Sequence, residues 1–144
     1  MAEPPGDLEV VVLNRQRRKR VNGVRLKRVL RGAGAALRAG GELTVVLAGD
    51  PLLRRLNRDF RGKDRPTDVL SFPADPARGS LGDVVISVET AERNARGLGR
   101  TLPQELDVLA LHGLLHVLGH DHETDDGTMD RLERRLRRRL LERP

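Results

Sequence analysis

All four histidines of the 144-residue chain fall within the segment His112–His122. His112 and His116 are four positions apart in an apolar, helix-like run, so both imidazoles should lie on one face of a helix. Gly119 is expected to end that helix in a left-handed conformation, after which the chain can turn and bring His122 toward the pair. Three converging neutral imidazoles are typical of a catalytic zinc site, in which the fourth position stays open. The spacing therefore predicts one Zn2+ held by His112, His116 and His122.

The same spacing occurs in the metzincin metalloproteases, with one difference. Those proteases have a glutamate directly after the first histidine as general base, whereas this chain has Gly113 there. The sequence therefore retains the metal ligands and lacks the protease base. His120 is an alternative third ligand, because it would compete with His122 if the helix continued through Gly119. Asp121 is the nearest carboxylate, and it could support a ligand imidazole, cap the turn or accept a proton.

The charge of the chain favours a polyanionic partner such as RNA, DNA or the ribosome surface. The net charge is +6 and the isoelectric point is near 11.0, and basic clusters at 15–20 and 131–139 are available to phosphates. Phe60 and Phe72 are the only Phe, Trp or Tyr residues. Base stacking on aromatic side chains is therefore not expected to be the main mode of binding, and arginine–phosphate contacts would supply most of the affinity.

The length suits one domain with one core, which we expect to cover 8–144 after a disordered tail at 1–7. The chain has no cysteine, which excludes disulfides and thiolate metal sites. No apolar run approaches the roughly 18 residues needed to span a membrane, and residues 1–7 do not resemble a secretory signal. We therefore expect a cytoplasmic protein that does not associate with membranes.

Hydrophobic periodicity predicts alternating strands and helices. Strands are predicted at 8–13, 43–48, 69–72 and 83–87. Five helices are predicted. The first includes Leu26–Leu37 and is closed by Gly40–Gly41, and the second is capped by Asp50 and has an apolar stripe formed by Leu52, Leu53, Leu56 and Phe60. The third is capped by Ser87 and ends near Gly97, the fourth carries the histidines over about 103–118, and the fifth begins at Asp125 or Asp126 and buries Met129, Leu132, Leu136 and Leu140. The pattern indicates an α/β (α+β) fold, with one mixed sheet of about four strands packed with about five helices.

Two motifs carry a resemblance to a known family. One is LNRDFRGKDRPTDVLSFP at 56–73, and the other is HGLLHVLGHDH at 112–122; GDVVIS at 82–87 and QEL at 104–106 lie between them. With these motifs the chain resembles the bacterial YbeY family of single-strand-specific, metal-dependent endoribonucleases involved in ribosomal RNA maturation. The match spans roughly 43–125 in continuous order. Family members commonly have tyrosine where this chain has His120.

The resemblance implies a function and a set of site residues. His112, His116 and His122 would be the metal ligands, and Arg61 would be the functionally important arginine near the metal. The activity would be zinc-dependent cleavage of single-stranded RNA in ribosomal RNA maturation, including 16S 3′-end processing, and in ribosome quality control. The partners would be ribosomal RNA and the small ribosomal subunit.

Arg61 falls in a charged segment at 61–68 that precedes a predicted strand. It could clamp a phosphate and stabilise the charge that develops in the transition state, or form a surface salt bridge with Asp59, Asp64 or Asp68. Two other functions also remain open at this point. One is a metalloprotease with the same metal geometry, and the other is a non-catalytic, metal-stabilised factor whose basic helices bind the ribosome.

Overall fold

A computed structural model of the protein describes residues 6–74, 77, 79–121 and 124–141. Four strands form one sheet: β1 (Leu8–Asn14), β2 (Gly41–Ala48), β3 (Val69–Pro73) and β4 (Ser80–Ser87). Their order is β1-β2-β4-β3. Strands β1, β2 and β4 are parallel, and β3 pairs antiparallel with β4 at one edge.

The helices of the described ranges are α1 (Gly23–Leu37), α2 (Asp50–Arg61), α3 (Val88–Leu98), α4 (Leu102–Val117) and α5 (Thr128–Leu140). The predicted α+β fold, a single domain with one mixed sheet of four strands and five helices, is confirmed. Most of the predicted tail, residues 1–5, lies outside the described residues. Within the part of the chain that is described, no helix is long and apolar enough to cross a membrane.

The two faces of the sheet carry different layers. Side chains alternate along β4, so Val84 and Ile86 join a large core with α1, α3 and α4, while Val85 joins a smaller one with α2. Edge strand β3 divides in the same way. Leu70 is buried in the α2 core, and Ser71 faces α4, where its Oγ donates to the carbonyl oxygen of Gly113 at 3.1 Å.

Helix α4 is the central helix of the larger layer, and it is buried on most of its surface. It begins with a capping box, in which the Thr101 hydroxyl accepts from the Gln104 N–H and the Gln104 side chain accepts from the Thr101 N–H. Helix α5 packs beside it through Met129 and Leu136, which contact Leu115. A helix fixed in this way can hold side chains at its C-terminal end in defined positions.

Some predicted boundaries are wrong. Helix α1 ends at Leu37, before the predicted Gly40–Gly41, because Arg38 itself adopts the left-handed conformation (φ 54°). The Ala39 N–H then donates to the carbonyl oxygen of Gly34 at 2.8 Å, which satisfies the end of the helix. Helix α3, in contrast, ends at Leu98, in agreement with the predicted end near Gly97, and is closed by Gly99, which has φ 68°.

Asp50 does not cap α2 as predicted. Gly49 is the N-cap, and Asp50 is the first residue of the helix. Its carboxylate accepts from the hydroxyls of Ser87 and Thr90, both at 2.6 Å, and so connects the starts of α2 and α3. Burial raises the pKa of Asp50, but the hydrogen bonds from Ser87, Thr90 and Arg93 outweigh it, and the net shift is downward.

Phe60 is part of the predicted apolar stripe of α2, but the structure leaves it exposed. Leu53 is fully buried, but Phe60 is 68% exposed. It lies in the last turn of the helix and touches Phe72 of β3 edge-on, with ring centroids 5.1 Å apart. Because β3 is the outermost strand, the sheet does not extend far enough to cover Phe60.

A buried carboxylate on α4 should make stability depend on pH. Asp107 is 1% exposed, with Arg25 of α1 at 2.7 Å. Burial raises the pKa of Asp107 from 3.8 to about 6, against the opposing effect of Arg25. The folded state thus holds this proton more tightly than the unfolded chain. The stability that Asp107 contributes is therefore complete below pH 3.8 and is lost as the pH rises through 6.

We therefore expect Asp107→Asn, which is neutral at every pH, to gain stability relative to wild type between pH 4 and 7, by up to about 3 kcal/mol. Urea unfolding of both proteins across this range measures the difference. If the free energies of unfolding of the two proteins change with pH in the same way, the expectation is contradicted.

Candidate active site

A cleft of about 580 Å³ lies between the C-terminal end of α4 and edge strand β3. Helix α4 contributes His112 and His116, and the turn that follows contributes His120 and Asp121. Arg61 enters from the end of α2. The remaining lining residues come from β3, the segment before it and the turn: Thr67, Asp68, Val69, Leu70, Ser71, Pro73 and Gly119. The structure thus brings Arg61 and the first two predicted ligands, far apart in sequence, into one cleft.

The two histidines face each other closely. Their Nε2 atoms are 3.1 Å apart, and their ring centroids are 4.6 Å apart. Two nitrogen ligands of a tetrahedral zinc ion, each at about 2.0–2.1 Å from the metal, would be about 3.3 Å apart. His112 and His116 therefore have nearly the separation that two ligands of one ion require.

A carboxylate from α5 supports this pair. Glu133 Oε1 lies 3.2 Å from Nδ1 of His112, and the Glu133 side chain is only 15% exposed. When His112 donates its Nδ1–H to this carboxylate, the lone pair of Nε2 is directed at the site. Carboxylates in this position orient metal-binding histidines in many proteins. Sequence analysis did not find Glu133, because it lies on a separate helix beyond the motif.

The predicted stop at Gly119 is confirmed. Gly119 has φ 99°, and two backbone hydrogen bonds of 3.0 Å close the helix, from Gly119 N–H to the His116 carbonyl and from His120 N–H to the Leu115 carbonyl. This is the pattern of a Schellman motif. His120 was an alternative third ligand only if the helix continued through Gly119. The helix ends before Gly119, so that condition is not met.

His122 itself lies outside the described residues. Among the residues that are described, no group of three or more His, Cys, Asp or Glu side chains could hold a metal ion. The three-histidine site therefore stays a prediction, of which the structure describes two members.

Gly113 is required by packing rather than by chemistry. A Cβ on this residue would lie 2.5 and 2.9 Å from the two γ-methyl carbons of Val84 in β4, and 3.3 Å from Ser71 Oγ. The absence of a side chain lets α4 approach the sheet closely, so that His112 stands beside β3. The position after the first histidine points into the sheet, so a glutamate there could not serve as a base in this fold.

Arg61 is the last residue of α2, not part of the loop that the sequence predicted. The three carboxylates considered as its salt-bridge partners are otherwise engaged: Asp59 with Arg58 at 3.3 Å, Asp64 with Arg54 at 2.9 Å, and Asp68 with the Val69 N–H and Asn94. The hydrogen bond from Arg54 lowers the pKa of Asp64. Within the described ranges, Arg61 forms no ion pair, so its guanidinium can act on a ligand in the cleft.

A solved structure shares this fold. The solution structure of a Thermotoga maritima protein matches with a TM-score of 0.64 and 27% sequence identity, covering 92% of this chain and 89% of that chain. The two chains therefore share one fold over most of their length.

Sequence comparison identifies the class more narrowly. The family model described as Endoribonuclease YbeY matches residues 11–141, and the chain belongs to this family. Relatives named Endoribonuclease YbeY include those of Solibacter usitatus, 52% identical over 101 residues, and Aquifex aeolicus, 49% identical over 107. The alignments cover 70% and 69% of this chain, and 67% and 71% of the relatives. The family resemblance predicted from the two motifs is confirmed.

Proposed function

We propose that the chain is a zinc-dependent endoribonuclease that cleaves single-stranded RNA. The observation that carries the proposal is the His112–His116 pair, with Nε2 atoms 3.1 Å apart, in the same cleft as Arg61. Membership of the YbeY family and the names of its relatives, Endoribonuclease YbeY, agree with it. The net charge of +6 suits a polyanionic substrate.

His112, His116 and His122 would hold the ion. The described pair fits this role because of its spacing and because Glu133 lies where it can accept the Nδ1–H of His112. When bound, zinc supplies a Lewis acid for a phosphate oxygen and acidifies water at neutral pH. The protein's own contribution is to hold the imidazoles rigidly at the end of α4, beside the wall formed by β3.

Arg61 would bind the phosphate that is cleaved. A guanidinium donates two parallel hydrogen bonds to phosphate oxygens and stabilises negative charge that grows during the reaction. Its place at the C-terminal end of α2, with the nearby carboxylates already paired, leaves it available for this contact.

We further propose ribosomal RNA as the natural substrate, with 16S 3′-end maturation and ribosome quality control as the processes served, in the cytoplasm and in contact with the small ribosomal subunit. The support is the family resemblance together with the basic surface. Affinity that depends mainly on phosphate contacts should fall with salt, by roughly 0.7 log units per log unit of salt for each phosphate contacted.

The protease function is disfavoured by Gly113, where any side chain would collide with Val84. The decisive experiment compares a labelled single-stranded RNA, the same RNA in a duplex, and casein, with and without chelator and added zinc. We expect chelator-sensitive cleavage of the single strand alone. Casein cleavage would favour the protease, and RNA binding without cleavage would favour the non-catalytic ribosome factor.

The role of Arg61 can be separated from stability. Arg61→Ala should keep its melting temperature and metal content but lose about a hundredfold or more in kcat/KM, as expected for removal of a contact to transition-state charge. Arg61→Lys should recover little, because lysine cannot form the paired contact. Single-turnover cleavage and thermal unfolding measure the two effects. A fall in melting temperature in proportion to the loss of activity would indicate a structural role instead.

A further inference from the structure

The two phenylalanines of the chain lie together on the α2 face of edge strand β3, the face opposite to the one that lines the cleft. Phe60 precedes Arg61 in the last turn of α2, and Phe72 lies between two cleft residues, Ser71 and Pro73, on β3. The rings of Phe60 and Phe72 meet edge-to-face, with centroids 5.1 Å apart and an angle of 68°. One member of this aromatic pair, Phe60, is thus the sequence neighbour of the proposed phosphate-binding arginine.

Phe60 keeps most of its ring in water, because the sheet ends at β3 and no described residue beyond that strand covers it. Five large hydrophobic residues of the described chain are exposed, and Phe60, at 68%, is the one that adjoins a cleft residue in sequence. Phe72 packs with the α2 core, whereas Phe60 is absent from that core. A flat ring with most of its surface in water is available to stack on another flat ring.

Exposed cationic side chains follow Phe60 closely along the chain. Lys63 and Arg65 are exposed in the segment that follows Arg61, and neither forms an ion pair with any described residue. An exposed aromatic ring among cations is the arrangement by which proteins hold single-stranded nucleic acids, the base stacking on the ring and the cations contacting phosphates. Because β3 is the edge strand, a strand of RNA can pass around it from the cleft toward the Phe60 face.

We propose that Phe60, supported by Phe72, is a stacking platform for one base of single-stranded RNA, next to the nucleotide whose phosphate Arg61 binds. The proposal rests on the proposed nuclease function. It accounts for selectivity toward single strands, since a base paired and stacked in a duplex cannot present its face to a protein ring. The expectation that arginine supplies most of the affinity still holds, and Phe60 adds a single contact to a base.

The test measures affinity for two labelled oligomers of equal length, a single-stranded 2′-O-methyl RNA and its abasic counterpart. Wild type should prefer the oligomer with bases. Phe60→Ala should bind that oligomer about tenfold more weakly and the abasic one unchanged, since stacking contributes of the order of a tenfold change or more per base. Phe60→Trp should keep the preference. Phe60→Leu, apolar but not flat, should lose it, and Leu98→Ala removes another exposed apolar side chain, from α3, as a control.

On cleavable RNA, Phe60→Ala should raise KM and leave kcat nearly unchanged, because a stacked neighbouring base contributes equally to ground state and transition state. Melting temperatures of all variants should match wild type. If wild type cleaves RNA but Phe60→Ala and Phe60→Leu retain its preference for bases, the platform is wrong and the nuclease stands. If wild type neither binds nor cleaves RNA, both proposals are wrong.

Discussion

His116→Ala is expected to lose at least about a thousandfold of the cleavage of single-stranded RNA, together with its bound metal. The reason is that one of two imidazoles 3.1 Å apart is removed, and Lewis-acid stabilisation of a phosphoryl oxygen is worth several kcal/mol. The fold should survive, because the His116 side chain lines the cleft while the apolar residues of α4 form the core. Activity and elemental analysis on untagged protein, prepared in parallel with wild type, measure both effects.

His120→Ala is the matched control, because it also removes an imidazole from the cleft but should keep its metal. Stoichiometric metal in a His112→Ala/His116→Ala double variant would contradict the assignment of the pair. Metal lost from His120→Ala but kept by His122→Ala would show that His120 is the third ligand. RNA cleavage that is equal in identically prepared wild type and His116→Ala would contradict the nuclease assignment.

Gly113→Ala should destabilise the protein by about 1–3 kcal/mol, the usual cost of overpacking a core. The added methyl would lie 2.5 Å from a γ-carbon of Val84, a branched residue that is fully buried in β4. Glycine normally weakens a helix by about 1 kcal/mol relative to alanine, so a loss of stability would reverse the intrinsic trend. Denaturant unfolding measures the change.

Gly97→Ala is the control, since Gly97 lies in helix α3 and a Cβ there would meet nothing within 4 Å. It should be neutral or stabilising. A Gly113→Ala/Val84→Ala double variant should be more stable than the sum of the two single changes predicts, because the space left by Val84 accommodates the new methyl. A Gly113→Ala protein as stable as wild type would show that α4 can move away from the sheet at little cost.

The sequence predicted the fold and the histidine pair because both depend on short-range patterns. The i, i+4 spacing of His112 and His116 fixes their common face, and Gly119 has the conformational freedom that the turn at φ 99° requires. The residues missed at the site depend on tertiary contacts. Glu133 reaches His112 only because α5 packs against α4, and the sequence holds no local signal for that pairing.

Phe60 shows that helical spacing predicts the face on which a residue lies but not whether that residue is buried. Its spacing from Leu53 and Leu56 places it on the apolar face of α2, and the pattern identifies that face correctly. Burial also requires neighbours on every side of the ring, and the edge strand β3 offers Phe60 only the contact with Phe72. Asp50 was misassigned for a related reason, since its hydroxyl partners come from the start of α3, distant in sequence.

The contact between Glu133 and His112 makes the C-terminal helix and the ligand site thermodynamically interdependent. Anything that binds Nε2 of His112 and strengthens its Nδ1–H···Oε1 bond also stabilises the docked position of α5, and by reciprocity docking of α5 raises the affinity for that ligand by the same factor. Zinc bound in the cleft should therefore slow amide hydrogen exchange along 128–140, although these amides do not contact the ion. A truncation that removes α5 would lower metal affinity although every imidazole remains.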